Sequence, residues 1–216
     1  TGKIDDEAEA VKSVGGEIKY TEDITFSSSS LLNKFSDMYN NSQKTFIQKM
    51  RKSQDSDKIK SKVDNLQNLK VLVVGETIID QYVFCEALGK SGKEPVLVLR
   101  DLNMEQYAGG AAAIARHLSD FCGSISLLSM LGEKKEHEDF VIESLPANIE
   151  PYFIYKDESS TITKKRYVDY ISNSKSLGVY SIDDSQMNGE NQNQLQAYLD
   201  ELIPKHDLVI VSDYGH

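Results

Sequence analysis

Basic side chains are in short supply: 24 lysines and arginines face 34 aspartates and glutamates, a formal charge of -10. Binding to a phosphate backbone is driven by clustered Lys and Arg, so nucleic acid is not an expected partner. Cysteine occurs twice, as Cys85 and Cys122, each inside an apolar or helical stretch. That excludes a disulfide framework and points to two reduced, buried thiols in a cytoplasmic protein. No run reaches the ~18 apolar residues that span a bilayer, and Thr1-Gly2-Lys3-Ile4-Asp5-Asp6 lacks the pattern of a secretory signal, so no membrane partner is expected. An initiator Met is also missing, which suggests that Thr1 is not a natural start.

Several catalytic signatures are absent as well. Gly89-Lys90-Ser91 looks like the end of a phosphate-binding loop, but Phe84 stands where the loop needs its first glycine. There is no G-x-S-x-G nucleophile elbow and no G-x-G-x-x-G dinucleotide loop. His117, His137, His206 and His216 are scattered without metal-ligand spacing, so no metal site is assigned.

What is present is a hydrophobic fraction of 39%, enough for a core. Residues 1–35 show a short helical pattern around Ala8, Val11 and Val14, a Gly15-Gly16 pair, a strand-like EIKYT, and a serine run before Leu31-Leu32 that suits a helix N-cap. Residues 36–69 are polar, with Ile59, Val63 and Leu66 at helical spacing, and read as a helical linker.

Composition shifts at Lys70. VLVVG (71–75), SISLLSMLG (124–132) and DLVIVSDYG (207–215) are apolar runs of the kind found in strands buried on both faces. QYVF (81–84) and PVLVLRD (95–101) alternate and suit half-exposed strands; further strands are expected at 151–156, 161–168 and 177–182. Helices are expected after Gly109-Gly110, where Ala111, Ile114, Ala115, Leu118 and Phe121 recur at three and four residues, and at about 193–203. Such alternation means an α/β fold with a mostly parallel sheet. The last strand has no following helix to cover it, which suggests a truncated domain.

In open α/β sheets ligands bind beyond the carboxyl ends of the strands. Asp80, just after strand 71–74, is placed to accept hydrogen bonds from polyol hydroxyls, or to cap a turn. Gly109 and Gly110 let a ligand approach the backbone at a helix start, or serve packing alone. Asp213 at the end of the last strand faces a phosphate, a metal or a basic partner, or is a turn residue. Ser27, Ser28 and Ser29 bind phosphate or cap a helix.

In this order the stretches VLVVGETIIDQYVF, GKSGKEPVLVL, YAGGAAAIARHL, SLLSMLGE, STITKKRYV and DLVIVSDYGH resemble the PfkB/ribokinase family of carbohydrate kinases over 70–216, closest to the kinase domain of bifunctional ADP-heptose synthase-like proteins. The resemblance implies a ribokinase-like three-layer sandwich with a small β lid, and transfer of the γ-phosphate of ATP, with Mg²⁺, to a hydroxyl of a sugar or sugar phosphate. By it, Asp80, Gly109 and Gly110 line the sugar site, and Lys164 and Arg166 lie near the sugar or its phosphate; the alternative for the two cations is an exposed strand of alternating charge. The family's Gly-rich motif with its catalytic Asp is expected beyond His216, so no catalytic base is assigned and the fragment is expected to be inactive. Lid strands in the family form dimer contacts, which makes a homodimer, or a non-catalytic sugar-binding segment, the alternative. Two departures stand out: Ala113 replaces a common Asn, and LGVYSI (177–182) lacks the Arg frequent in heptose kinases.

The head, GGEIKYTEDITFSSSSLLNKF, resembles the last strand and helix of a cytidylyltransferase-like Rossmann domain, with Ser27, Ser28 and Ser29 at nucleotide-phosphate positions. The expected organisation is therefore a Rossmann-domain tail (1–35), a helical linker (36–69) and the N-terminal part of a sugar kinase domain (70–216).

Overall fold

A computed structural model describes residues 2–17, 39–53 and 56–216. They fall into two compact units, Thr1–Asp55 and Ser56–His216. In the first unit, α1 (Gly2–Ser13) ends where the Gly15 and Gly16 amides donate to Lys12 and Val11 carbonyls at 3.0 and 2.9 Å. Helix α2 (Asn41–Ser53) starts from a reciprocal cap: Gln43 N–H donates to the Asn40 side chain, and Asn40 N–H to that of Gln43. Ser27, Ser28 and Ser29, with the strand and helix expected around them, lie outside the described residues.

The second unit begins with α3 (Ser56–Asn65) and a 3₁₀ turn over Leu66–Asn68. It continues as β1 (Lys70–Lys90), β2 (Leu97–Gly110), α4 (Ala111–Ser119), β3 (Ser124–Gly132), α5 (Glu138–Ser144), β4 (Ile149–Lys156), β5 (Thr163–Asp169), β6 (Lys175–Ser181), α6 (Gly189–Leu202) and β7 (Leu208–Ser212). The two strands expected at 71–75 and 81–84 are one strand of 21 residues.

That strand serves two layers. Residues 70–76 pair in parallel with β3, and 71–75 with β7, so the α/β sheet runs β4-β3-β1-β7. Residues 77–90 pair antiparallel with β2, and 79–85 in parallel with β5, giving a lid ordered β2-β1-β5-β6. The polar stretch 102–110 was not expected to be a strand; its backbone partner on β1, rather than apolar alternation, makes it one.

Successive strand residues point to opposite faces, and the core follows that rule. Val71 and Val73 pack with Ile125, Leu127 and the alanines Ala111, Ala112 and Ala115 of α4. Leu72, between them, packs on the other face with Leu128, Ile154 and Leu202, flanked by Leu195, Tyr198 and Leu199 of α6. Helix α4 thus covers one face and α6 the other, a three-layer arrangement. Leu72 is fully buried, and burying such a side chain contributes about 1.5–3 kcal/mol. The short helix α5 went unread in the sequence because seven residues carry too few turns to display a period; Val141 anchors it against Ile79, Leu131 and Phe153.

Candidate active site

Asp80 does not cap a turn. It lies within β1, opposite Tyr107 of β2 and Lys164 of β5, while Tyr82, two residues on, lies opposite Arg166. The strand period of two therefore puts Asp80, Tyr82, Tyr107, Lys164 and Arg166 on one face of the lid. Tyr180 of β6 joins them opposite Lys164. The same sheet geometry explains why residues up to 86 positions apart in sequence meet: Arg166 Nη1 donates to Asp80 Oδ1 in a short charge-assisted bond.

The Arg166 side chain keeps 18% of its surface exposed and that of Asp80 27%, so both remain reachable. The hydrogen bond that Arg166 donates to Asp80 raises the Arg166 pKa above its ordinary value, against the opposing effect of burial, and keeps the guanidinium charged. The guanidinium carbon sits 5.4 Å from the Tyr82 ring centroid and 5.6 Å from that of Tyr180, within cation–π range. Tyr82 meets Tyr107 edge to face at 6.0 Å and 74°.

Gly109 and Gly110 close the far end of this face. A Cβ on Gly109 would stand 2.6 Å from Asp80 Oδ2 and 3.1 Å from the Ile78 carbonyl, so only glycine leaves the carboxylate in place. Gly110 has φ 60°, and a Cβ there would run into the Glu76 carbonyl. Gly110 is also the N-cap of α4, with no side-chain cap.

Below the lid, Glu76 is 8% exposed and its two carboxylate oxygens accept the backbone N–H groups of Tyr214 and His216 at 3.0 and 3.1 Å. The His216 ring then bridges Asp184 Oδ1 (2.9 Å) and Lys164 Nζ (3.3 Å). Lys164 is thereby connected to the turn that follows β7.

A cavity of about 390 Å³ opens at the carboxyl ends of β3, β4 and β7, beside residues 74–76 where β1 leaves the sheet for the lid. Val74, Leu128, Ile154 and Leu195 floor it, and Lys156, Asp213 and His216 bring polar atoms to it. Its lining does not include Asp80, Gly109, Gly110, Lys164 or Arg166. Asp213 is therefore apart from the lid cluster, and its Oδ1 accepts the Gly215 N–H at 2.8 Å. Lys156 is buried; its ammonium donates to the Asp183 carbonyl at 2.7 Å and lies 3.7 Å from the Asp183 carboxylate. The Asp183 carboxyl is held below the usual carboxylate range, first by the Ser185 backbone and hydroxyl groups and then by Lys156. Paired charges, aromatic faces and glycines converge on the lid, whereas the cavity is mainly apolar.

The structure therefore brings Asp80, Gly109 and Arg166 into one cluster, with Lys164 beside it, and keeps Asp213 separate. Sequence reading missed Glu76, Tyr82, Tyr107, Lys156 and Tyr180. Tyr82 was findable, since a strand through 81–84 puts it on the face of Asp80; Glu76 and Lys156 gave no signal short of the tertiary contacts. Among the described residues no group of three or more His, Cys, Asp or Glu side chains is arranged to hold a metal ion. Cys85 and Cys122 are buried free thiols, and burial pushes both pKa values up. No described helix is long and apolar enough to cross a membrane.

A parallel sheet covered on both faces, sharing its first strand with an antiparallel-edged lid, is the fold of ribokinase-like sugar kinases. Phosphofructokinase-2 of Escherichia coli in complex with fructose-6-phosphate superposes with a TM-score of 0.50 at 14% identity, over 68% of this chain and 47% of that one. In sequence, the chain is 33% identical over 150 residues to the bifunctional protein HldE of Haemophilus ducreyi (68% of this chain, 30% of that protein). It is 28% identical over 149 residues to the HldE of Shewanella amazonensis (69% and 30%). The resemblance to the PfkB/ribokinase family of carbohydrate kinases holds over this stretch. The chain spans 30% of the length of these curated relatives. No family model matches it.

Proposed function

We propose that this chain carries the acceptor-binding part of an ATP-dependent carbohydrate kinase, a phosphotransferase acting on an alcohol group, within a longer cytoplasmic protein that also carries a nucleotidyltransferase domain. Residues 1–35 are the tail of that domain, with Ser27, Ser28 and Ser29 toward its nucleotide; 36–69 link it to the kinase part at 70–216. The observation that carries the reading is the lid cluster, in which Asp80 lies against Gly109 and is paired to Arg166 at the end of the sheet-to-lid strand.

Chemically, Asp80 orients the acceptor through its hydroxyls, Gly109 and Gly110 admit it to the backbone, and Lys164 and Arg166 supply positive charge on the same face. Phosphoryl transfer itself depends on groups gathered around the γ-phosphate and on a base for the attacking hydroxyl. We place that base outside these 216 residues. Among the described residues no group of three or more His, Cys, Asp or Glu is gathered, so no ligand for Mg²⁺ is assigned. The chain by itself is then a binding unit. Incubated with ATP, Mg²⁺ and a panel of hexoses, heptoses and their phosphates, it is expected to form no ADP above background; steady turnover with any acceptor would show that the base lies within the chain.

A second reading, a dimerising segment, draws on a different observation. On the lid face opposite Asp80, Met104, Leu177 and Val179 are 50%, 54% and 51% exposed and follow the register of Val83, Tyr167 and Lys165. Light scattering during gel filtration separates the readings: a stable dimer lost on Leu177→Lys favours the second.

A further inference from the structure

A side-chain bridge runs from the lid to the turn after β7, and it depends on a neutral imidazole. His216 Nε2 lies 3.3 Å from Lys164 Nζ on β5, and His216 Nδ1 lies 2.9 Å from Asp184 Oδ1 on the loop that leaves β6. An ammonium has protons to donate and no lone pair to accept with, so Nε2 presents its lone pair to Lys164. The ring proton therefore sits on Nδ1 and is donated to Asp184. The backbone under the ring is fixed: the Glu76 carboxylate accepts the N–H groups of Tyr214 and His216, and Gly215 between them takes φ 78°.

A second ring proton changes this bridge at one end only. With Nε2 protonated, two cationic donors face each other across 3.3 Å with no acceptor between them, so the bond to Lys164 is lost. The contact with Asp184 persists as an ion pair, which adds little because the Asp184 side chain is 71% exposed. The other charged groups on the elements around the ring are Glu76 on β1, Asp213 in the turn itself and Lys156 on β4. The two carboxylates favour the added proton and the ammonium opposes it; all three act on when the ring protonates, and none alters what protonation does to the Lys164 bond. Lys164 stands opposite Asp80 on β1 and Tyr180 on β6, so the released ammonium is left on the lid face that carries Asp80 and Arg166. We propose that His216 is a proton-sensitive latch: neutral, it ties lid strand β5 to the sheet layer through Lys164; protonated, it keeps Asp184 and lets β5 go. The latch stands apart from the kinase reading and would operate whatever the lid binds.

The test is amide hydrogen exchange of the full 216-residue chain at about pH 8 and about pH 5.5, near the two ends of the range in which histidine side chains take up a proton and above that of ordinary carboxylates. Rates are corrected for intrinsic exchange and referred to β3. Peptides from β5 and β6 are expected to exchange about 10-fold faster at the lower pH, while 182–188, still held through Asp184, changes by less than about twofold. His137 is also an imidazole in contact with the lid, its Nδ1 lying 3.2 Å from Gln106 Nε2 of β2, and serves as the control. His137→Gln should leave the β5 response intact. His216→Gln, whose side-chain carbonyl accepts from Lys164 at either pH, should keep exchange slow at both, and His216→Ala should make it fast at both. Equal protection of β5 at the two pH values in the unaltered chain overturns the proposal, as does a response that survives His216→Gln or disappears with His137→Gln. Should His216→Ala unfold the chain, the unaltered protein and His216→Gln decide the matter without it.

Discussion

Asp80 has two neighbours that constrain it, Arg166 through one oxygen and Gly109 beside the other, and so it has little freedom to do anything but present that second oxygen. A reacting hydroxyl held in this way owes its rate to position. If the proposed kinase reading holds, Asp80→Ala in a full-length protein containing these residues should lower kcat/KM by about 100-fold or more. Gly109→Ala should have a similar effect with Asp80 still present, because the added methyl displaces the carboxylate. Steady-state kinetics with thermal denaturation as control decides it: an unchanged rate with a lowered melting temperature would reduce Asp80 to a structural partner of Arg166.

Among the elements, the loop 182–188 joins the lid to α6 and is held from several sides. Lys156 at the end of β4 donates to the Asp183 carbonyl, His216 meets Asp184, and Asn188 caps α6 by accepting the Asn191 N–H at 2.8 Å. The Asp183 carboxyl has a depressed folded pKa, so its contribution is complete above the ordinary carboxylate value and is lost as the pH falls toward the lower folded value. Amide exchange in 182–188 should therefore accelerate as pH drops below about 4, after correction for intrinsic rates. Asp183→Asn should flatten that dependence. Asp169, depressed by the Ser172 N–H and hydroxyl, predicts the same behaviour for the turn between β5 and β6, and peptide-level resolution keeps the two apart. A loop equally protected at both ends of the range contradicts the assignment.

For the molecule as a whole, the weak border is β7. Among the described residues it pairs with β1 alone, and Leu208, Val211 and Tyr214 are 43%, 72% and 45% exposed. A strand with an open edge and exposed apolar side chains is a template for association. Val211→Lys is expected to raise the concentration at which the purified chain aggregates on warming, as followed by turbidity, without lowering its melting temperature. Unchanged turbidity would mean that association proceeds through another surface, with the exposed lid residues the next to replace.

The sequence by itself determined the buried strands, the α4 and α6 helices and the position of the two glycines, because each is written locally: β-branched runs, three-and-four spacing, and residues without a Cβ. It named Asp80, Lys164 and Arg166 through ordered resemblance but left open whether Asp80 capped a turn and whether the cations were surface charges. Only the tertiary structure decided that, since β1 continues unbroken from sheet to lid and its registers with β2 and β5 set which side chains share a face. Hydrogen-bond register between strands far apart in the chain is fixed by long-range pairing, and no local pattern of residues encodes it. For the same reason the tyrosines around Arg166, the clamp of Glu76 and the buried Lys156 became visible only once the strands were paired.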